Sequence, residues 1–394
     1  LMILASIDAM EKIPYFRGEY YFLLLFSALG MMFMVSANDF LSLFITLEFS
    51  TFGFYILVAY LRDNLKSNEA AIKFFILGAL SAALISYGVS LVYGETGTIL
   101  FDKIAANRPE SSIGLTIGLL FIFIGIGYTL GAVPFHAWVP DVYQGAPTTV
   151  TAYLSVVPKA ATFAIFLRVV FGAFLGLKAD WQWMIVSISV LSMTYGNITA
   201  IAQKNMKRLL AYSGIAQIGT ILIGMAAGTR MGIESILFYI LTYLFANIGA
   251  FIVVIIFQNM TDKDDIEDFA GLNRRSPLMA FAMLVFLLSL AGVPPLAGFI
   301  GKVYVIAAAV HQGLIFIVAV ALINMVISFY YYLIIVKKIY AVEPKETTPI
   351  HISIPLKIAI YISIAGVILL GIWPNPFIQA SVTAASVFTD LILK

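Results

Sequence analysis

The chain has 394 residues, of which 61% are hydrophobic and 11% are charged, whereas soluble domains carry about 25% charged residues, so the composition indicates a polytopic membrane protein. The net charge of only +2, without a basic patch, argues against nucleic acid as a partner. The absence of cysteine excludes disulfides and cysteine-ligated iron–sulfur clusters, and with only three histidines we expect neither a metal site nor a bound cofactor.

Apolar runs long enough to cross a bilayer, roughly 17–25 residues, recur along the chain. In order they predict eleven membrane helices, at 20–38, 39–61, 68–93, 113–140, 148–171, 181–203, 209–228, 232–258, 276–309, 314–337 and 355–373. A short amphipathic tail follows near 376–394. The opening "LMILASIDAM" reads as the end of a helix, so we expect that further N-terminal helices precede it in the whole protein.

Two of these runs, 113–140 and 276–309, are too long for a simple span, and both contain proline: Val133-Pro134 in the first and Val293-Pro294-Pro295 in the second. Proline lacks the backbone donor and clashes with the preceding turn, so each run should be a discontinuous helix. Broken backbone at membrane depth is tolerated only where protein or a water-filled cavity satisfies it. The breaks therefore point to polar sites inside the bundle.

The two breaks also suggest an internal repeat, because "LGAVPF" at 130–135 matches "LAGVPP" at 290–295. Each lies in the fourth helix of a group of five, and an odd number of helices inserts the two groups in opposite orientations, as in many transporters. Chance recurrence of a proline kink is the alternative. The predicted organisation is an N-terminal helix end and loop, two inverted five-helix repeats, and a C-terminal membrane helix with its tail, at 1–19, 20–171, 181–337 and 355–394.

Basic residues are divided unequally between the two sets of loops. The loops around 11–19, 61–67, 141–146, 203–208, 259–276 and 337–357 hold 14 of the 23 Lys and Arg residues, and the other set holds 5. The positive-inside rule places the first set in the cytoplasm. Four basic residues remain within spans and need a reason: Lys73, Lys159, Arg168 and Lys302.

Glu48 lies near the middle of the second span, in "LFITLEFSTFGFY". An ionised carboxylate at that depth costs about 2.5–3.5 kcal/mol on insertion scales. We interpret Glu48 as a proton carrier, since such a group is seldom retained for packing. A neutral acid held in a helix contact is the alternative.

Lys159 and Lys302 are the candidate relay lysines. A lysine away from water gains or loses its proton according to the charge of nearby groups, and small neighbours leave room for water beside both residues: Ala160, Ala161, Gly298 and Gly301. The alternative is that the stem snorkels to the membrane surface. Snorkelling suits Lys302 better than Lys159, which is central in its span.

Other polar residues have two interpretations each. Lys73 either tunes Glu48 on the preceding helix or snorkels, and Arg168, near a helix end, is expected to snorkel. His136 follows the first break and either transfers protons, since an ordinary histidine titrates near pH 6.5, or plugs freed carbonyls. Asp141 is expected to cap a helix.

Four segments together resemble a known family: "VPFHAWVPDVYQGAPTTVTAYLSVVPKAATFA", "LFITLEFSTFGFY", "NMKRLLAYSGIAQIG" and "LSLAGVPPLAGFIGKVYV". They resemble the antiporter-like membrane subunits of respiratory complex I, with the PDVYQGAP segment and the lysine after GFIG typical of the N-type subunit. The resemblance covers about residues 19–376. Family members have fourteen spans, and the shortfall here fits the expected N-terminal helices.

The resemblance implies a proton-translocating subunit in the membrane arm of an NADH- or ferredoxin-driven quinone oxidoreductase. The chain would bind no cofactor and have no electron-transfer site, while the assembled complex uses NADH and quinone. Its partners would be other membrane-arm subunits, lipids, protons and water, in a bacterial inner membrane. A subunit of a multisubunit sodium/proton antiporter and a structural scaffold are the alternatives.

On the family pattern, Glu48 is the carboxylate of the entry half-channel, Lys159 the central relay lysine and Lys302 the exit-side residue. Lys73 matches a further lysine that the family uses beside the carboxylate. This chain departs from the pattern at Thr129, where the family usually carries a lysine five residues before the proline of VPFH. Lys73 is the nearest candidate to replace that charge; otherwise a proton path would pass Thr129, water and His136.

Overall fold

A computed structural model describes residues 1–13, 17–107, 112–344 and 346–389. Three of the basic residues counted above lie outside the described residues: Arg108, Lys345 and Lys394. The end of the predicted tail, 390–394, lies outside them as well. The described part is all-helical apart from two isolated bridges. Its α-helices are α1 (Met2–Glu11), α2 (Arg17–Ser36), α3 (Phe40–Val58), α4 (Leu65–Thr96), α5 (Phe101–Ala106), α6 (Ile113–Leu130), α7 (Trp138–Gly145), α8 (Thr148–Leu167), α9 (Lys178–Ile201), α10 (Met206–Ala227), α11 (Arg230–Thr261), α12 (Leu272–Arg275), α13 (Pro277–Ala291), α14 (Ala297–His311), α15 (Ile315–Ala341), α16 (Ile354–Ile372) and α17 (Asn375–Thr389).

Ten helices in the described ranges are long and apolar enough to cross a membrane. Two shorter apolar helices, α13 and α14, together make the ninth predicted span, 276–309. The fifth span does not stay regular to its end, because α8 continues as a π-helix over Arg168–Ala173. The short helix α5, between α4 and α6, has too few residues for a periodic signal and was not predicted.

Both proline-containing runs are discontinuous helices, as predicted. α6 ends at Gly131, whose φ of +72° is the left-handed conformation that glycine adopts readily, and α7 resumes at Trp138. α13 ends in the same way at Gly292 and α14 begins at Ala297. The first broken helix, α6 and α7, and the second, α13 and α14, cross the bundle in opposite directions. The bundle therefore has the inverted antiporter-like arrangement.

One end of the bundle, here called the basic end, gathers the loops at 61–67, 203–208, 259–276 and 337–357. Ion pairs join two of these loops, 259–276 and 337–357: Lys263 with Glu346 at 2.7 Å, Arg274 with Glu343 at 3.3 Å, and Lys338 with Glu267. Outside the spans, the hydrogen bond and charge of Lys263 hold the pKa of the Glu346 carboxyl below its usual range. Loops of the predicted cytoplasmic set that are far apart in the sequence therefore contact each other at this end.

The opposite end is joined by backbone and guanidinium contacts. The Phe40 amide donates to the Ile99 carbonyl at 3.2 Å, and the Phe101 amide donates to the Asn38 carbonyl at 3.1 Å. Arg168 reaches the same turn and donates to the Ala37 carbonyl at 3.0 Å and to Asn38 Oδ1 at 2.6 Å. Arg168 thus extends to the end of the bundle, as predicted, but is bonded to protein there.

α10 lies at the centre of the bundle and is buried along nearly its whole length. A helix that is apolar all round is expected in such a position. Ser213, Gln217 and Thr220 nevertheless interrupt its apolar surface, and all three are buried. Because buried polar groups need hydrogen-bond partners, these side chains mark where polar contacts run through the core.

Candidate functional site

Lys159 lies on α8 directly after Pro158, with only 2% of the residue exposed. Its Nζ has no hydrogen-bond partner among the described residues, and the Tyr143 ring, with its centroid 5.6 Å away, faces it from α7. A Cβ atom placed on Gly214 of α10 would lie 3.5 Å from Nζ, so glycine leaves space beside the amine. A buried amine without a fixed partner is costly to keep charged unless water or a neighbouring charge compensates.

Lys302 is equally buried, at 2% exposure, so neither lysine snorkels. Its Nζ donates to the carbonyls of Leu290 at 2.8 Å and Ala291 at 2.9 Å. These carbonyls end α13 and have no donor within the helix because the chain breaks there. Gly292 makes room for the lysine stem, since a Cβ atom at that position would lie 2.9 Å from Lys302 Cδ. The second break therefore builds the Lys302 site directly.

A line of buried polar groups continues from this site along α10. Gln217 donates to the same Leu290 carbonyl at 2.9 Å and to the Tyr332 hydroxyl at 3.4 Å. The Tyr332 hydroxyl lies 2.5 Å from Ser213 Oγ. Tyr239 of α11 also donates to Gln217. The hydrogen-bonded line thus joins Lys302 to Ser213, next to Gly214.

The polar line comes closest to Lys159 at Gly214, but no hydrogen bond between the described residues connects Ser213 to Lys159. A Cβ atom on Gly214 would lie 3.0 Å from the Tyr243 hydroxyl, so Tyr243 and Lys159 flank the same glycine. Tyr243 donates to the Ser155 carbonyl at 3.4 Å, and Asn247 donates to Ser155 Oγ at 2.7 Å. A water beside Gly214 would complete the connection.

Sequence reasoning missed the residues that form this line. Ser213, Gln217, Tyr239, Tyr243 and Tyr332 are each unremarkable in an apolar span. A usable signal does exist on α10, where Ser213 and Gln217 are four residues apart and therefore share one face of a buried helix. The tyrosines on α11 and α15 could not be placed opposite that face without the packing.

Glu48 is half-buried on α3, and none of the ion pairs formed by the described residues includes it. Tyr55 lies two turns farther along the same face of α3, about 10 Å toward the basic end. Its hydroxyl contacts α4 so closely at Gly78 that a side chain there would clash. Within the described part of the chain, Glu48 therefore has no fixed counter-charge.

Lys73 does not pair with Glu48 in this structure, and of its two interpretations the contacts fit the one in which its stem extends toward the membrane surface. Its ammonium lies 2.8 Å from Asp141 of α7 and 2.8 Å from Glu69 of its own helix, with 43% of the side chain exposed. The reason is position on the helix: eight residues into α4, Lys73 is close enough to the basic end to reach an acid there. Its charge is thus not available to stand in for the family lysine at Thr129 in this arrangement.

Asp141 is not a helix cap, which corrects the expectation from the sequence. The N-cap of α7 is Ala137, without a side-chain bond, whereas Asp141 accepts from Lys73 and, at 2.8 Å, from Arg208 of α10. Burial alone would raise the pKa of the Asp141 carboxyl, but the hydrogen bonds from the two cations outweigh burial and lower that pKa. Asp141 is therefore an anion that joins α7 to two other helices.

At the first break, a tryptophan satisfies a freed carbonyl: Trp138 Nε1 donates to the Tyr128 carbonyl at 2.9 Å. His136 Nδ1 is buried without a hydrogen-bond partner among the described residues, and its ring lies 4.6 Å from that of Tyr195. Thr129 Oγ1 bonds back to the Gly125 carbonyl of its own helix at 3.2 Å. Trp138 thus satisfies the carbonyl at the end of α6, and both interpretations of His136 stay predictions.

A polar cavity of about 480 Å³ opens at the basic end. Thr148 and Thr149, at the start of α8, line it together with Lys207, Gln258 and Asp264. Lys159 lies eleven residues farther along α8, about 16 Å from Thr148 along the helix axis. Within the described ranges, no group of three or more His, Cys, Asp or Glu side chains is arranged to hold a metal ion.

Comparison with known proteins identifies the family to which the chain belongs. The family model described as "NADH:quinone oxidoreductase/Mrp antiporter, TM" matches residues 37–328. The chain is 44% identical over 390 residues to an NADH-quinone oxidoreductase subunit N of Desulforamulus reducens, covering 98% of this chain and 82% of the relative. It is also similar to a chain in a structure of respiratory complex I from Thermus thermophilus with bound aureothin, with a TM-score of 0.83, 34% identity and coverage of 96% and 84%.

A chain of the Mrp complex from Dietzia sp. DQ12-45-1b shares the fold, with a TM-score of 0.86, 22% identity and coverage of 93% of this chain and 77% of that one. The family match covers most of the chain, and the 44% identity runs over nearly all of it. The protein therefore belongs to the NADH:quinone oxidoreductase/Mrp antiporter family of transmembrane proteins.

Proposed function

We propose that the chain is a proton-translocating membrane-arm subunit of an NADH- or ferredoxin-driven quinone oxidoreductase. The observation that carries this proposal is the line of buried polar groups between the surroundings of Lys159 and Lys302. The chain itself holds no electron-transfer centre. NADH and quinone are used by other subunits of the assembled complex, which sits in the bacterial inner membrane with the basic end toward the cytoplasm.

In this proposal, protons enter from the basic end and reach Lys159 from the cavity at the start of α8. Lys159 suits the central position because no fixed partner holds its proton. Its charge then responds to that of its neighbours, as a relay requires. From Lys159 the proton moves past Gly214 by water to the hydroxyls of Ser213 and Tyr332, and then by water alongside Gln217 to Lys302.

Glu48 and His136 belong to the entry half of the path. Glu48 lies at membrane depth and pairs with no cation of the described residues, so a change in its charge breaks no ion pair there. His136, with a free and buried Nδ1, is able to accept or donate a proton beside the first break. The two five-helix groups, 20–171 and 181–337, would act as the two halves of the channel.

A sodium/proton antiporter subunit is the second candidate, because the Dietzia Mrp chain has the same fold. The greater identity to subunit N of the quinone oxidoreductase favours the first. The two are separated by ion dependence: the proposed function expects quinone-driven proton uptake that does not require sodium.

The test is proton pumping by the assembled complex in proteoliposomes, driven by NADH and a short-chain quinone. Lys159→Ala and Lys302→Ala should assemble and pump at under about a tenth of the wild-type rate. Lys178→Ala is the matched control, since Lys178 also donates to the carbonyls at a helix end, those of Ala227 and Gly228, but lies off the line. Normal pumping by both relay variants would refute the assignment.

A further inference from the structure

A nearly buried carboxylate lies between the Lys302 level and the opposite end of the bundle. Glu234 sits four residues into α11, and 12% of its side chain is exposed. Arg230 Nε donates to one carboxylate oxygen at 3.0 Å, and the Tyr304 hydroxyl donates to the other at 2.8 Å. Tyr304 belongs to α14, two residues after Lys302, so the two sites share one half-helix.

The packing of α11 against α14 fixes how far apart the sites are. A Cβ atom on Gly301 would lie 2.4 Å from the Tyr239 ring, which places Tyr239 at the level of Lys302. Glu234 precedes Tyr239 by five residues, about 7.5 Å along the helix toward the opposite end. Tyr239 itself donates to Gln217 of the polar line. Glu234 is therefore one to two helical turns beyond the end of that line.

The charged and titratable groups that contact the Glu234 carboxylate are Arg230 of its own helix and Tyr304 of α14. Lys178, at the start of α9, is engaged instead by the carbonyls of Ala227 and Gly228. One cation and one hydroxyl thus hold a single acid, one turn from the end of its helix. That position suits a group that exchanges protons with water outside.

We propose that Glu234 is the proton-release group of this subunit, with Tyr304 as the residue that positions it. The step is a proton transfer through water: an N–H bond of the Lys302 ammonium breaks, an O–H bond forms on Glu234, and the lysine becomes a neutral amine. The acid then loses the same proton to water at the opposite end and returns to a carboxylate. This inference rests on the proposed function, because it extends the same path.

The alternative is a purely structural role, in which the bonds among Arg230, Glu234 and Tyr304 only hold α11 against α14. Glu234→Gln separates the two roles, because the amide oxygen still accepts from Tyr304 while the side chain no longer carries a proton. In the intact complex in proteoliposomes, Glu234→Gln should assemble and reduce quinone normally with an uncoupler present. Its pumping rate should fall at least about fivefold, and Glu234→Asp should restore part of it.

A second readout is the response to pH on the side facing the opposite end, the vesicle interior when the basic end faces out. Wild-type pumping should fall as that compartment is acidified, since a protonated Glu234 cannot accept another proton, and Glu234→Gln should lose this response. Glu95→Gln is the matched control, because Glu95 is an exposed acid at the same end of the bundle. It should pump and respond to pH as the wild type does.

Failure of the inference is distinguishable from failure of the proposed function. If Glu234→Gln pumps and responds to pH as the wild type does while Lys302→Ala is impaired, Glu234 only holds α11 against α14. The relay assignment would then remain valid. Normal pumping in Lys302→Ala as well would overturn both. Should Glu234→Gln not assemble, Tyr304→Phe decides the question: a normal rate and pH response there would refute the proposal, and a reduced rate with a shifted pH response would support it.

Discussion

Lys73 on α4 donates a 2.8 Å hydrogen bond to Asp141 on α7, the half-helix that follows the first break. The other oxygen of the same carboxylate accepts a bond of 2.8 Å from Arg208 on α10. A family-type lysine expected beside Glu48 thus serves to hold a short helix. α7 in turn carries Tyr143, whose ring faces Lys159.

This ion cluster predicts coupled effects of Lys73→Met and Asp141→Asn. If Lys73 acts through Asp141, each variant should slow pumping by a similar modest factor, about two- to fivefold, by loosening α7 beneath Lys159. The double variant should be no worse than either single one, because both remove the same interaction. Pumping rates of the three complexes measure this coupling. Additive losses would instead assign Lys73 a separate role, such as a partner of Glu48 in another state.

The lowered pKa of Asp141 predicts a pH dependence of stability. An acid whose pKa is lowered in the folded state stabilises the protein above its usual pKa, near 4, and loses this contribution as pH falls through the lowered value. Asp141→Asn should therefore lower the unfolding temperature by roughly 1–3 °C between pH 5 and 8. Below pH 4 the difference from the wild type should shrink. A difference that grows on acidification would contradict the pairing.

The two buried lysines should differ in what their removal does to stability. Lys159→Met removes an amine that has no partner, so the unfolding temperature should stay the same or rise. Lys302→Met leaves the Ala291 carbonyl without its donor, although Gln217 still serves Leu290, and should cost about 1–3 kcal/mol. Both variants should lose pumping. Thermal unfolding of the purified complexes compares them, and equal destabilisation would count against the unpartnered state of Lys159.

Two buried tyrosines, one on the polar line and one off it, provide a matched test of that line. Tyr332→Phe removes the hydroxyl between Ser213 and Gln217 and should reduce pumping several-fold while quinone reduction continues with an uncoupler present. Tyr153→Phe removes a similarly buried hydroxyl on α8 that donates to the Leu24 carbonyl of α2, away from the line, and should pump normally. Equal rates in the two variants would show that protons do not pass Tyr332.

The spans and breaks were predictable because each depends on local sequence. Apolar length fixes a membrane helix, and proline with glycine fixes its interruption, so Val133-Pro134 and Pro294-Pro295 located both discontinuities. The residues with isolated charge in a span, such as Lys159 and Lys302, also stand out locally, because lipid offers a charge no partner.

The contacts of the site were less predictable because they join residues far apart in the chain. Lys73 and Asp141 are 68 residues apart, and Ser213 and Tyr332 are 119 apart. Which partner Lys73 takes depends on how far α7 reaches toward the basic end, and sequence spacing does not give that distance. The bond of Trp138 to the Tyr128 carbonyl was unpredictable for the same reason, since only the geometry of the break decides which ring nitrogen points back to α6.

The bonds of Arg168 to the turn after α2 hold the π-helix that follows α8 in place at the end of the bundle opposite the basic end. At that end, backbone hydrogen bonds at Phe40 and Phe101 and the guanidinium of Arg168 tie four segments together. At the basic end, α7 is held through the side chains of Lys73, Arg208 and Asp141. A change in the charge of that cluster would therefore act on the basic end of this half of the protein, while the bonds at the opposite end stay in place.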